Sequence, residues 1–294
     1  MSTQKFFKKD ALLPLLYPAG SAILFGLIPT FTTVIYSGDG TPYSITCIRT
    51  IFAALAFFFL AHRERTSLRV SIREWQFLFL ASAVGIAGTN LLLCMSYQYI
   101  SGGLATTLHF IYPVICILAE KIFFKETLPR STPVSLLLVI FGIAVFSWRE
   151  LTFQWFGILL ALCSGLCYAF YLILSAHTLL RDMSYNKMFF HISLISSVLS
   201  GMLWLREGEL HMTPSAWITL LIFAILASIV APLLMQIGIR KAGLTAASML
   251  STLEPLTSVV ADTAIWGKPF GPVDLLGCAA VCAGISTLFR RSKP

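Results

Sequence analysis

The sequence predicts an all-α integral membrane protein, ten transmembrane helices arranged as two inverted five-helix repeats. Three observations predict it: an apolar composition cut into span-length runs, a one-sided distribution of basic residues, and a match of the chain to itself at one fixed offset.

Of 294 residues, 57% are hydrophobic and 12% charged, and the mean hydropathy is +0.83. Soluble domains carry about a quarter charged residues, so this composition excludes a water-soluble globular enzyme, a disordered chain, a coiled coil and a disulfide scaffold. A helix needs about 20 apolar residues to cross a bilayer core. Ten segments meet that need, at 13–36, 42–61, 75–97, 102–121, 132–148, 154–177, 187–205, 215–238, 245–265 and 272–289. The first follows Lys5, Lys8 and Lys9 but is too long for a cleaved signal peptide. The widest gap, His62 to Glu74, is an arginine-rich loop that serves as a topology anchor.

The net charge of +8 is spread over loops. That pattern suits anionic lipid headgroups and argues against a nucleic-acid partner. With the N-terminus placed inside, 17 basic residues fall on cytoplasmic segments and three, Arg149, Arg206 and Lys268, fall outside; Arg49 lies within the second span. The positive-inside rule then places both termini in the cytoplasm, and the chain spans the cell's inner (plasma) membrane. Seven cysteines all lie in apolar runs. The pairs Cys163/Cys167 and Cys278/Cys282 have no histidine or carboxylate at ligand spacing, so no metal or other cofactor is expected.

At an offset of 142 residues, Tyr43 meets Tyr185, Trp75 meets Trp217, Pro113 meets Pro255, Gly142 meets Gly284, Glu120 meets Asp262 and Arg49 meets His191, without a gap. Spans 1–5 map onto 6–10, giving repeats at 1–147 and 148–294. Five is odd, so the second copy enters the membrane from the opposite side. Inverted repeats supply two related conformations, one open to each face, which is the geometry of alternating access.

These features resemble the EamA-like branch of the drug/metabolite transporter superfamily over nearly the whole chain. The second span reads Cys47-Ile48-Arg49-Thr50-Ile51-Phe52, similar to the family's arginine-containing helix. Tyr112-Pro113-Val114, then Lys125-Glu126-Thr127-Leu128, then Gly142 resembles its proline, loop glutamate and glycine. Glu254-Pro255-Leu256 and Gly284 repeat the pattern, although Gly267-Lys268-Pro269 lacks the glutamate and Leu24-Phe25-Gly26 lacks a common tryptophan. The resemblance implies transport of an amino acid, nucleotide sugar, sugar phosphate or small drug. It also implies a recurring arginine at Arg49 whose role is structural.

Polar groups deep in lipid usually face a protein interior or a wet cavity. Glu254 sits midway along the ninth span, with Ser251 and Ser258 on the same face. Pro255 is expected to free the carbonyl of residue 251, and a carboxylate beside a free carbonyl suits an ammonium group or a proton. A protonated structural glutamate is the alternative. His109, Tyr112 and Cys116 share a face of the fourth span; a packing histidine is the bland reading there. Ser164, Tyr168, Tyr171 and Ser175 make a stripe along the sixth span, suited to cavity lining or to close packing. Asn90, Cys94 and Tyr97 face the same way in the third span, with Pro232 and Gln236 as their partners in the eighth. Arg49 either holds a substrate carboxylate through its planar fork or snorkels to the headgroups. Glu120 and Asp262, at helix ends, read as anchoring or gating contacts. The Ala280–Gly284 run suits a tight helix contact or a dimer seam, leaving monomer and homodimer both open.

The expectation is therefore a secondary transporter, not an enzyme. Its substrate-binding residues are Glu254, Ser251, Ser258, His109, Tyr112, Tyr168, Tyr171, Asn90, Tyr97, Gln236 and Arg49. Its cargo is a small polar metabolite, an amino acid or amine-bearing compound first, with proton coupling through Glu254. A polytopic membrane enzyme or a passive channel is the alternative. Within the family, nucleotide-sugar or drug efflux is the alternative cargo. The sequence has no His-Glu-x-x-His pair, nucleophile elbow or phosphate loop.

Overall fold

The structure, a computed structural model, describes residues 13–126, 131–147, 154–207, 211–267 and 271–289. Lys5, Lys8, Lys9, Arg130, Arg149, Lys268 and the C-terminal Arg290, Arg291 and Lys293 lie outside them, as does the expected boundary at 148 between repeats. The described residues are helical, with no strand. Helix occupies every one of the ten expected segments. Among the described residues, seven helical stretches are long and apolar enough to cross a membrane: Leu13–Tyr36, Pro42–Arg63, Ile72–Ser96, Leu104–Ile122, Trp155–His177, Tyr185–Trp204 and Pro214–Ala242.

Three expected spans are broken, each just before a proline. The first consists of α1 (Leu13–Phe25) and α2 (Ile28–Tyr36), parted at Gly26-Leu27 ahead of Pro29. α3 (Pro42–Arg63) is continuous. It is closed at its start by Thr41, whose hydroxyl accepts from Ser44 N–H, with Pro42 in the first turn. The third span joins α4 (Ile72–Leu80) to α5 (Gly88–Ser96) through a π-helical segment, Ala81–Ala87; Ser71 and Glu74 form a capping box at its entry. The fourth is α6 (Gly102–His109) and α7 (Tyr112–Ile122), parted ahead of Pro113. Proline has no N–H to continue the ladder, and its ring disfavours helix at the preceding residue.

α8 (Thr132–Ser147) and α9 (Trp155–His177) follow, then α10 (Tyr185–Trp204). The eighth span again carries a π-helical segment, Ala224–Val230, between α11 (Pro214–Phe223) and α12 (Ala231–Ala242). The ninth is α13 (Leu244–Leu250) and α14 (Leu253–Trp266), parted ahead of Pro255, and α15 (Pro272–Phe289) ends the described chain.

One expectation is corrected here. The carbonyl of Ser251 is not free, because Glu254 N–H donates to it at 2.9 Å. The chain tightens at the break and takes up the acceptor that Pro255 leaves.

The helices pack across the two halves. α3 lies along α10, α8 along α15, α1 on α12, α5 on α9, and α7 on α13; α1 also meets α14, and α6 meets α9. Phe57 of α3 stacks on Phe189 of α10 with ring centroids 4.9 Å apart. Phe57, Phe110, Phe189 and Phe223 are buried, so phenylalanine builds the core as well as the lipid-facing surface. The small-residue face of α15 is turned to α8 within the chain, where Ser135 Oγ donates to the Gly284 carbonyl.

Candidate functional site

The breaks and π-segments surround one cavity. It encloses about 860 Å³ of space, its open mouth included. Its wall draws on α1, α2, α3, the third span, α6, α9, α10, the eighth span and α14. Two charged side chains face it. Arg49, on α3, is 5% exposed. Its Nη2 donates to Asn90 Oδ1 at 2.6 Å, its guanidinium lies 4.7 Å from the centroid of the Phe223 ring, and its Nε has no partner. Glu254, in the first turn of α14, is also 5% exposed. Its Oε1 accepts from Tyr112 O–H at 3.0 Å. Among the described residues neither side chain is ion-paired. Ionised groups are costly to bury without a partner; the partners present are Asn90 and the Phe223 ring for Arg49 and Tyr112 for Glu254.

The break in the fourth span places the next residues. Pro113 leaves the His109 carbonyl without its helical donor, and α9 passes so close to that carbonyl that position 165 has to be glycine. His109 then turns Nδ1 to Ser164 Oγ at 2.8 Å and faces the cavity. Tyr112 and Tyr168 meet edge to face, with centroids 4.8 Å apart. On the other half, Gly26 lies against the Glu254 carbonyl, where an added Cβ would come within 2.6 Å of the oxygen.

Seven of the expected residues line the cavity together: Arg49, Asn90, Tyr97, His109, Tyr168, Tyr171 and Glu254. Four stand behind it. Tyr112 holds Glu254, and Gln236 Nε2 donates to Tyr171 Oη and Ser175 Oγ, both at 2.9 Å. Ser251 donates to the Ala247 carbonyl, and Ser258 is buried in α14. His191 lies outside the cavity, its Nδ1 2.9 Å from the Lys187 carbonyl. Glu120 pairs with His177, and the side chain of Asp262 falls outside the described residues. No group of three metal-ligating side chains occurs among the described residues.

The family model of the EamA-like transporter family matches residues 12–148 and again 155–290. The chain belongs to the EamA-like transporter family. It is therefore a multi-pass membrane protein of a transporter family. A curated relative, an uncharacterized transporter of Archaeoglobus fulgidus, is 24% identical over 281 residues, covering 92% of this chain and 94% of the relative. A crystal structure of a protein at 14% identity superposes with a TM-score of 0.81, covering 94% of this chain and 97% of that one, a likeness of fold.

In this EamA-like chain the wall also includes residues that sequence reasoning missed. Phe25, Ile28, Ile86, Leu93, Phe189, Ile192 and Met235 give it an apolar side, and Thr50, Thr89, Thr106, Ser193 and Ser228 add hydroxyls. Pro29 was the available signal for the break that brings in Phe25 and Ile28.

Proposed function

We propose that this chain is a secondary transporter of a small amine-bearing metabolite, an amino acid first, working by alternating access. The observation that carries the reading is one cavity holding a buried guanidinium and a buried carboxyl, neither ion-paired. A zwitterion supplies both missing charges: its carboxylate meets Arg49 and its ammonium meets Glu254. The apolar wall receives an aliphatic or aromatic side chain. Glu254 exchanges a proton for the ammonium group, which couples transport to protons.

The alternating geometry comes from ten spans in two inverted repeats, 1–147 and 148–294. Several features support that division. The family model matches twice, once in each half. Contacts between halves come in exchanged pairs: α1 with α12 answers α9 with α5, and α1 with α14 answers α9 with α7. The third and eighth spans carry π-segments, at Ala81–Ala87 and Ala224–Val230, nearly one repeat length apart. We place both termini in the cytoplasm and the protein in the cell's plasma membrane. Cysteines introduced at Arg65 and Lys125 should then react with a membrane-impermeant maleimide from the same side; labelling from opposite sides would remove the inverted arrangement.

The cargo assignment is tested by uptake of L-leucine and L-phenylalanine into proteoliposomes. Glu254→Gln should lower uptake by about tenfold or more, the scale of losing a hydrogen bond to a charged group. It should also flatten the pH dependence. Unchanged uptake and pH dependence would remove Glu254 as both ligand and coupling site. Flux that saturates with cargo distinguishes a transporter from a passive channel.

A further inference from the structure

Behind the cavity, α7 carries a row of titratable side chains that cargo binding does not need. Tyr112, Cys116 and Glu120 are spaced i, i+4, i+8, so they stand on one helix face. All three are buried. One end of the row reaches the cavity, where Tyr112 O–H donates to Glu254 Oε1 at 3.0 Å. The other end reaches α9, where Glu120 Oε1 lies 2.9 Å from His177 Nε2. The His177 side chain is 19% exposed, while that of Glu120 is 6% exposed. Phe124 stacks flat on the imidazole with centroids 3.4 Å apart, covering one ring face.

The groups facing this row are few. α9 contributes His177 beside Glu120 and Tyr168 beside Tyr112; α6 contributes His109, whose ring centroid is 5.3 Å from that of Tyr112; α14 contributes Glu254. Among the described residues no lysine or arginine is ion-paired with any member of the row. Lys121 and Lys125 follow on the same chain, at the basic end of the helices.

We infer that this row is a proton path joining the basic face of the protein to the cavity carboxyl. His177 takes a proton on Nδ1 and releases one from Nε2 to Glu120. The proton then crosses to Cys116 and to Tyr112. Tyr112 gives its hydroxyl proton to Glu254 and is refilled from the Cys116 side; His177 is left as its Nδ1–H tautomer and is reset by losing that proton to solvent and regaining one on Nε2, so each relay group returns to its starting form. Successive members on α7 are about 6 Å apart along the axis, four residues at about 1.5 Å each, so the path requires a bridging water on either side of Cys116. The chain of transfers makes one X–H bond for each one broken and needs no oxidant or reductant. A carboxylate–imidazole pair at the entrance and a lone carboxyl at the end give the path its two stations.

This inference rests on Glu254 being the proton-binding carboxyl proposed above. Its test needs no cargo. Proteoliposomes receive a rapid pH jump from a caged proton, and time-resolved infrared spectroscopy follows the carboxyl C=O band that Glu254→Gln abolishes. The wild-type band should respond, and Glu120→Gln and His177→Ala should each slow the response at least tenfold. Glu120→Asp, which keeps a carboxylate, should restore most of the rate. The thermal unfolding midpoint of each variant identifies those that fold. An unchanged rate in a folded Glu120→Gln or His177→Ala protein overturns the path alone. A wild-type Glu254 band that ignores the jump overturns proton coupling and the path together, while amino-acid uptake still tests the cargo assignment separately.

Discussion

Arg49→Ala should lower uptake of L-phenylalanine by about thirtyfold or more. Removing one member of a buried charge pair costs about 2–5 kcal/mol, and each 1.4 kcal/mol is about a factor of ten. In the proposed binding mode the cargo carboxylate pairs with Arg49, so the loss should be selective. Phenethylamine has the same ring and ammonium without the carboxylate, and Arg49→Ala should affect its transport far less. The ratio of the two uptake rates is the measurement. If the ratio in Arg49→Ala equals that of the wild type, Arg49 binds no carboxylate, and its bond to Asn90 with its seat on the Phe223 ring is its whole role. Arg49→Lys should fall between, because an ammonium keeps the charge but loses the fork.

Gly165→Ala should destabilise the protein by about 1–3 kcal/mol, the usual cost of overpacking. A Cβ at 165 would collide with the His109 carbonyl and come within 2.7 Å of Ile111 Cγ2. Those are the residues that turn the chain between α6 and α7. The carbonyl belongs to the backbone, so it cannot rotate away as a side-chain tip can. Relief requires α9 to move off α6, and that movement separates His109 from Ser164 and Tyr168 from Tyr112. Gly20→Ala is the control: its Cβ would meet only Leu234 Cδ1 at 3.4 Å, an ordinary contact. Thermal unfolding in detergent compares the two. Equal midpoints would mean that the close approach at 165 has no structural weight.

Much of this architecture was legible because lipid punishes unpaired polarity. Arg49, Asn90, His109, Glu254 and the two mid-span tyrosines stood out from apolar runs, and these residues meet around one cavity. Spacing along a single helix cannot tell a lining residue from the one behind it. Tyr112, Gln236 and Ser251 share faces with lining residues yet bond to neighbours instead, and Ser258 is buried in α14. Hydroxyls were harder still. Thr50 donates to its own helix at Thr46 O, so its residue type gives no hint that it also borders the cavity. The break at Gly26-Leu27 carries the same signature as the other two, a proline two or three residues on, and was readable from Pro29. The π-segment at Ala81–Ala87 contains no proline and no polar outlier beyond Ser82, whose hydroxyl bonds across to Ile192 O at 2.7 Å. Its geometry is set by what α9 and α10 press against it, which no local pattern records.

That π-segment changes how the third span has to be mapped. A π turn holds one residue more than an α turn, and each residue of an α-helix advances the side chain by about 100°. A helical wheel drawn from Ile72 therefore loses phase at Ala81 and assigns Asn90 and Tyr97 to the wrong sector. Substitution scans along this span will show two periodic patterns out of step, one before residue 81 and one after residue 87, and averaging them as a single wheel would hide the face that meets the cavity.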